Sequence, residues 1–157
     1  MLTAEERLDV QEFYARYAEC IDGARLEHWA EFFTEQCLYR VTTRLGLRLG
    51  GDEDWMNLES TSLMRDRVVS MGQSEDFVPY QQRHFFANFR IQEAEGDELQ
   101  VHANFLVLRT YAGQPSEVLA SGYCQDRVTR AGGRLKFIQK LYIVENDERP
   151  ESFVYPI

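Results

Sequence analysis

The chain has no paired metal ligands, no glycine-rich phosphate loop and no nucleophile motif. Each absence removes a class of chemistry. Only three histidines are present, His28, His84 and His102, and no two share the i, i+4 spacing that lets one helix face hold a metal. No His-x-Asp pair occurs, so a two-histidine, one-carboxylate iron centre has no signature here. The three cysteines, Cys20, Cys37 and Cys124, are far apart and odd in number. Without a Cys-x-x-Cys or Cys-x-x-His pair, neither a structural zinc nor a Rieske cluster is expected on this chain. The thiols read as free, buried groups of a reducing compartment. Blocks of positive charge are missing too: 17 Lys and Arg face 26 Asp and Glu, for a net charge of −9. Such a surface repels phosphate backbones, so no nucleic-acid partner is expected. No apolar run approaches a membrane span, so no membrane partner is expected either. The first six residues are acidic and short of apolar length, unlike a secretory leader. A cytoplasmic location is the expectation.

What the chain does have is aromatic rings. Ten Phe, eight Tyr and two Trp make up 13% of 157 residues. They require a thick core, a lined cavity or a subunit interface. The length fits one domain over residues 1–157, large enough to bury a real core.

Thr3 and Glu6 form a capping box, which satisfies free amides at a helix start. Leu8, Val10, Phe13, Tyr14, Tyr17, Ala18 and Ile21 then recur at helical spacing, and Gly23 stops the helix. A short second helix fits residues 26–33, with Trp29, Phe32 and Phe33 inward. Residues 37–44 are rich in strand formers, and residues 46–55 read as a loop. A third helix over 60–71 carries Leu63, Met64, Val68 and Met71, and residues 74–80 connect onward. Four long segments follow, at 82–93, 99–111, 117–130 and 135–145, separated by short turns with Gly. Strands this long must twist and curve. Gly122 reads as a bulge or bend. The apolar tail, Phe153-Val154-Tyr155-Pro156-Ile157, must pack on something. The fold class is therefore α+β: N-terminal helices packed on a strongly curved antiparallel sheet. This is the cone shape of nuclear-transport-factor-like, cystatin-like and ketosteroid-isomerase-like proteins, and it fixes no function by itself.

Alternation along 82–93 places His84, Asn88 and Arg90 on one face and Phe85, Ala87, Phe89 and Ile91 on the other. His84 with Asp22 or Tyr39 would make an acid/base pair in a cone pocket. The bland reading is a buried polar network between strand and helix, or an interface contact. Met64-Arg65-Asp66-Arg67-Val68 is either a solvated helix face or a docking surface, and Arg127 after Asp126 has the same two readings. The rings of Trp29, Phe32, Phe33 and Tyr39 read as core.

The order of these pieces resembles a family. A Tyr-rich helix ends near Ile21-Asp22, and Trp29-Ala30-Glu31-Phe32-Phe33 leads to Tyr39-Arg40-Val41. Arg65-Asp66-Arg67, Arg83-His84 with Asn88, Ala120-Ser121-Gly122-Tyr123 with Asp126, and Tyr155-Pro156-Ile157 follow. Over nearly its whole length the chain resembles the small (beta) subunit of bacterial aromatic-ring-hydroxylating oxygenases. The look is that of terephthalate, salicylate and anthranilate enzymes, whereas residues 45–54 diverge. The resemblance implies a large (alpha) subunit bearing the Rieske [2Fe-2S] cluster and a mononuclear non-haem iron. It implies a cofactor-free small chain in an alpha3beta3 assembly around a three-fold axis. A separate reductase would supply electrons.

Two classes of function follow. The first is a non-catalytic subunit with no catalytic residues of its own, whose interface candidates are Arg65, Arg67, His84, Arg90, Arg127 and Tyr155. The second is a stand-alone lyase, isomerase or cyclase using His84 with Asp22 or Tyr39. A subunit should have a filled cone and an enzyme an open one. A binding or regulatory module of the same fold is a third reading, which neighbouring genes would separate.

Overall fold

A computed structural model of the chain describes residues 1–73 and 77–157. Of the connection expected over 74–80, residues 74–76 lie outside the described residues, and 77–80 are neither helix nor strand.

Helix α1 (Ala4–Asp22) starts at the Thr3 capping box and stops at Gly23. Its buried side is Val10, Phe13, Tyr14, Tyr17, Cys20 and Ile21, whereas Leu8 is exposed. The second helix is a 3₁₀ segment, Leu26–Phe32, and Phe33 already begins strand β1 (Phe33–Thr43). The expected loop over 46–55 is instead helix α2 (Arg44–Leu49), capped by Thr43, followed by a 3₁₀ turn, Gly51–Glu53. Arg40 ties this excursion down: its guanidinium bonds the Asp54 carboxylate and the Gly46 carbonyl. A short strand β2 (Met56–Ser60) leads into α3 (Thr61–Met71), which Ser60 caps. Met64 is the fully buried residue of α3, and Leu63 is exposed.

The four long strands are β3 (Gln81–Glu93), β4 (Glu98–Thr110), β5 (Glu117–Ala131) and β6 (Arg134–Val144). They pair in sequence as antiparallel hairpins. The sheet order is β2-β1-β6-β5-β4-β3. It is not wholly antiparallel, because β1 runs parallel to β6. That pairing joins residues just over a hundred positions apart, such as Leu38 with Gln139, which no local pattern records.

Register shifts bend the long strands, as an extra residue always does. The β3–β4 register slips between Ala87 and Arg90, where Asn88 has φ +58°. The slip exchanges the two faces. His84 and Phe86 point inward before it and Ile91 after it, so Arg90 lies on the outer face, away from His84. A second slip follows Val107, and a third lies between Arg127 and Val128. Gly122 is not a bulge, since pairing runs through it on both sides. It is glycine because a Cβ there would stand 2.1 Å from the Ile143 carbonyl oxygen.

The concave side of the sheet packs on α1 through rings. Phe13 and Tyr17 lie 4.6 and 5.2 Å from Phe137, centroid to centroid, and Tyr14 lies 5.2 Å from Phe86. Such tilted and edge-on pairs add to the burial of the rings themselves. Trp29, Phe33 and Tyr39 join the same core, with Phe32 partly buried at its edge.

Candidate functional site

The interior of the cone holds an ion pair. Asp126 on β5 and Lys140 on β6 have side chains with no exposure, and the ammonium stands 2.7 Å from the carboxylate. The second Asp126 oxygen accepts the Leu141 N–H at 2.9 Å, and the Tyr14 hydroxyl donates to the carboxylate in a short contact. The Lys140 ammonium also lies 4.1 Å from the centre of the Tyr142 ring and 4.9 Å from those of Tyr14 and Phe86. A desolvated cation gains from ring faces as well as from its counter-ion. Burial drives the Tyr14 hydroxyl far above its ordinary pKa, and the charge of Asp126 adds to that. Sequence reasoning missed Lys140. Alternation from Leu135 and Phe137 places it outside, but the slip between Arg127 and Val128 turns it in.

Asp22 closes α1 beside β3. Its carboxylate takes the His84 backbone N–H at 2.9 Å and meets Nδ1 of the His84 ring at 2.6 Å. The expected pair of His84 with Asp22 is therefore brought together. Tyr39 is not part of it, because its hydroxyl engages Ile157. The His84 side chain has no exposure, and its Nε2 has no partner among the described residues. A general base must reach a substrate proton, and this ring nitrogen faces closed packing. His102 pairs with Arg90 on the outer face and does not meet His84. His28 is exposed beside Glu31.

The apolar tail fills the mouth of the cone. Ile157 is wholly buried, and its main-chain oxygen accepts from the hydroxyls of Tyr17 and Tyr39, each at 2.9 Å. Its N–H donates to Tyr39 at 2.8 Å, and the Trp29 indole N–H donates to Tyr17 at 3.2 Å. Arg67 turns inward from α3 and donates to the Val154 carbonyl at 3.0 Å. Its buried Nε has no partner among the described residues, and burial followed by the nearby Arg149 lowers its pKa. Phe153 packs on Trp55 with centroids 5.4 Å apart.

The other interface candidates are scattered. Arg65 is exposed on the rim of a groove of about 1300 Å³ between α1, the 3₁₀ segment, the start of α3 and the β5–β6 turn. Arg90 is exposed on the outer face. Arg127 is exposed and holds Glu98 at 2.7 Å. Tyr155 is half-buried against Phe77 and Tyr80. His84 and Arg67 instead hold internal contacts.

The donor set fits neither an iron centre nor a Rieske cluster. Among the described residues no three His, Cys, Asp or Glu side chains converge as metal ligands. The three thiols are buried on three different elements. Burial pushes Cys20 and Cys37 up to about 11 and Cys124 to about 12, so none is a ready thiolate. No described helix is long and apolar enough to cross a membrane.

Comparison with known proteins agrees with this geometry. Residues 2–140 match the family model of the SnoaL-like domain. The small subunit of anthranilate 1,2-dioxygenase from Burkholderia cepacia is 28% identical over 90% of this chain and 88% of that protein. The beta 1 subunit of the terminal oxygenase component of terephthalate 1,2-dioxygenase from a Comamonas species is 26% identical, over 96% and 97%. A solved structure described as the beta subunit of an aromatic-ring-hydroxylating dioxygenase from Novosphingobium aromaticivorans superposes with a TM-score of 0.84. It is 27% identical and covers 95% of both chains. The curled mixed sheet with its N-terminal helices is the fold shared with that solved structure, and the chain belongs to the SnoaL-like domain family.

Proposed function

We propose that the chain is a non-catalytic small subunit of an aromatic-ring-hydroxylating oxygenase, supporting assembly with a large subunit that performs the hydroxylation. The observation that carries this reading is the filled cone. Where an enzyme of this shape needs a chamber, Lys140, Asp126, the tyrosine cluster and Ile157 occupy the space with no exposure. Reaction chemistry then falls to the partner, which would hold the Rieske cluster and the mononuclear iron and take electrons from a reductase. The names of the relatives point to a carboxylated aromatic substrate, since anthranilate and terephthalate are ring carboxylates. In a three-plus-three assembly in the cytoplasm, each small chain would present two different, complementary patches to its neighbours around the axis. Arg65, Arg90, Arg127 and Tyr155 are the surface candidates for those patches. The whole of residues 1–157 would act as one domain.

One observation favours a second reading, an acid/base enzyme acting alone: the 2.6 Å contact between His84 and Asp22. Co-expression with a tagged ring-hydroxylating large subunit separates the two. On the subunit reading the chain co-elutes, and His84→Ala changes the yield of complex while turnover per iron stays within about twofold. Turnover by the chain alone, abolished by His84→Ala, would establish the enzyme instead.

A further inference from the structure

The groove between α1, the 3₁₀ segment, the start of α3 and the β5–β6 turn carries charge against the balance of the chain. Five of the 17 Lys and Arg line it with four of the 26 Asp and Glu, whereas the whole chain carries −9. Arg130 is held by Asp9 at 3.2 Å. Arg16, Arg65, Arg134 and Lys136 have no carboxylate partner among the described residues. Helix α3 starts in the same groove, and its first turn holds no acidic residue to offset the positive end of its dipole. The rings of Phe13, Phe32 and Phe33 line it as well. At about 1300 Å³ the groove exceeds the roughly 300–1,000 Å³ of a small-molecule pocket, so it has room for a segment of chain. A cleft with a surplus of one sign draws the other, so that segment is acidic.

The chain itself carries such a segment. Strand β3 ends at Glu93 and β4 starts at Glu98, and the Ala94 N–H closes the turn on the Glu98 carbonyl at 2.9 Å. Glu95 and Asp97 at its tip are exposed and have no cation partner among the described residues. No Lys or Arg occurs between Arg90 and Arg109. The two long paired strands behind the tip make a stiff stem. By contrast, the acidic run Asp52-Glu53-Asp54 is tied down by Arg40. Pairing of β4 with β5 fixes the tip to its own sheet, so it meets the groove of another copy and not its own.

We propose that the β3–β4 turn of one copy docks in this groove of the next, with Glu95 and Asp97 meeting Arg65, Arg134 and Lys136. Guanidinium forks and carboxylates make directional pairs, and the rings beneath them add apolar contact. Groove and turn are different patches, so the contact is heterologous and closes into a ring when the rotation allows. The contact rests on the subunit reading for its closed ring and names the two patches that reading asks for, but the chain alone tests it.

Light scattering on the full chain alone, over a range of concentrations, reads the contact. The unaltered chain should associate, and added salt should weaken the association. Arg65→Glu with Arg134→Glu should raise the concentration of half-association at least about tenfold. Glu95→Lys with Asp97→Lys should do the same, although it brings the net charge nearer zero and relief of general repulsion would favour association. All four changes together should bring association back to within about threefold of the unaltered chain. The four side chains are exposed, so the circular dichroism of each variant should match the unaltered chain. An unaltered chain that stays monomeric, a turn variant that associates as well as the unaltered chain, or no recovery with all four changes would each overturn the proposal. Co-elution with a large subunit is read separately, so loss of this contact is told apart from failure of the subunit reading.

Discussion

A lysine stripped of water loses several kcal/mol of hydration, and Lys140 recovers it from Asp126 and the rings of Tyr14, Phe86 and Tyr142. Removing one partner strands the other. Lys140→Met should therefore cost about 3–5 kcal/mol in urea unfolding, because Asp126 is left buried without its counter-ion. Converting both, as Lys140→Met with Asp126→Asn, should recover part of that loss, since the neutral amide still meets the Leu141 N–H. A cost below about 1 kcal/mol for the single change would mean that the pair contributes little. At this scale the sequence was only partly legible. The contact between His84 and Asp22 follows from a histidine at an inward strand position and an acid at a helix end. Lys140 and the outward turn of Arg90 do not, because each lies beyond a register slip, and one inserted residue reverses every face after it.

Among the elements, the long strands were legible to within a residue or so, because alternation repeats many times between turns rich in Gly. Helix α2 and strand β2 were not. Arg44–Leu49 carries a glycine within a single turn and a half, and Met56–Ser60 is too short for a pattern to build up. Gly122 shows how an element-scale constraint hides in one residue. It was legible as an oddity, but its cause is the neighbouring strand. The approach of Ile143 leaves no room for a side chain, and φ there is +157°. Gly122→Ala should force β5 and β6 apart and cost roughly 2–3 kcal/mol in thermal or urea unfolding. Unchanged stability would mean that the two strands separate locally at no cost.

At the level of the whole molecule, one cone has been closed from three sides: by α1 over the sheet, by the ion pair within, and by residues 153–157 across the mouth. The helical face and the apolar tail announced parts of this. The parallel junction of β1 with β6, which completes the wall, was invisible because it depends on where distant segments meet. A filled cone leaves surfaces as the working parts, and surfaces act through partners. Light scattering on the chain, alone and co-expressed with a ring-hydroxylating large subunit, with an iron assay on each peak, tests this most directly. The account predicts iron only in a large mixed oligomer that contains both chains. A metal-free small oligomer that ignores the large subunit would contradict it.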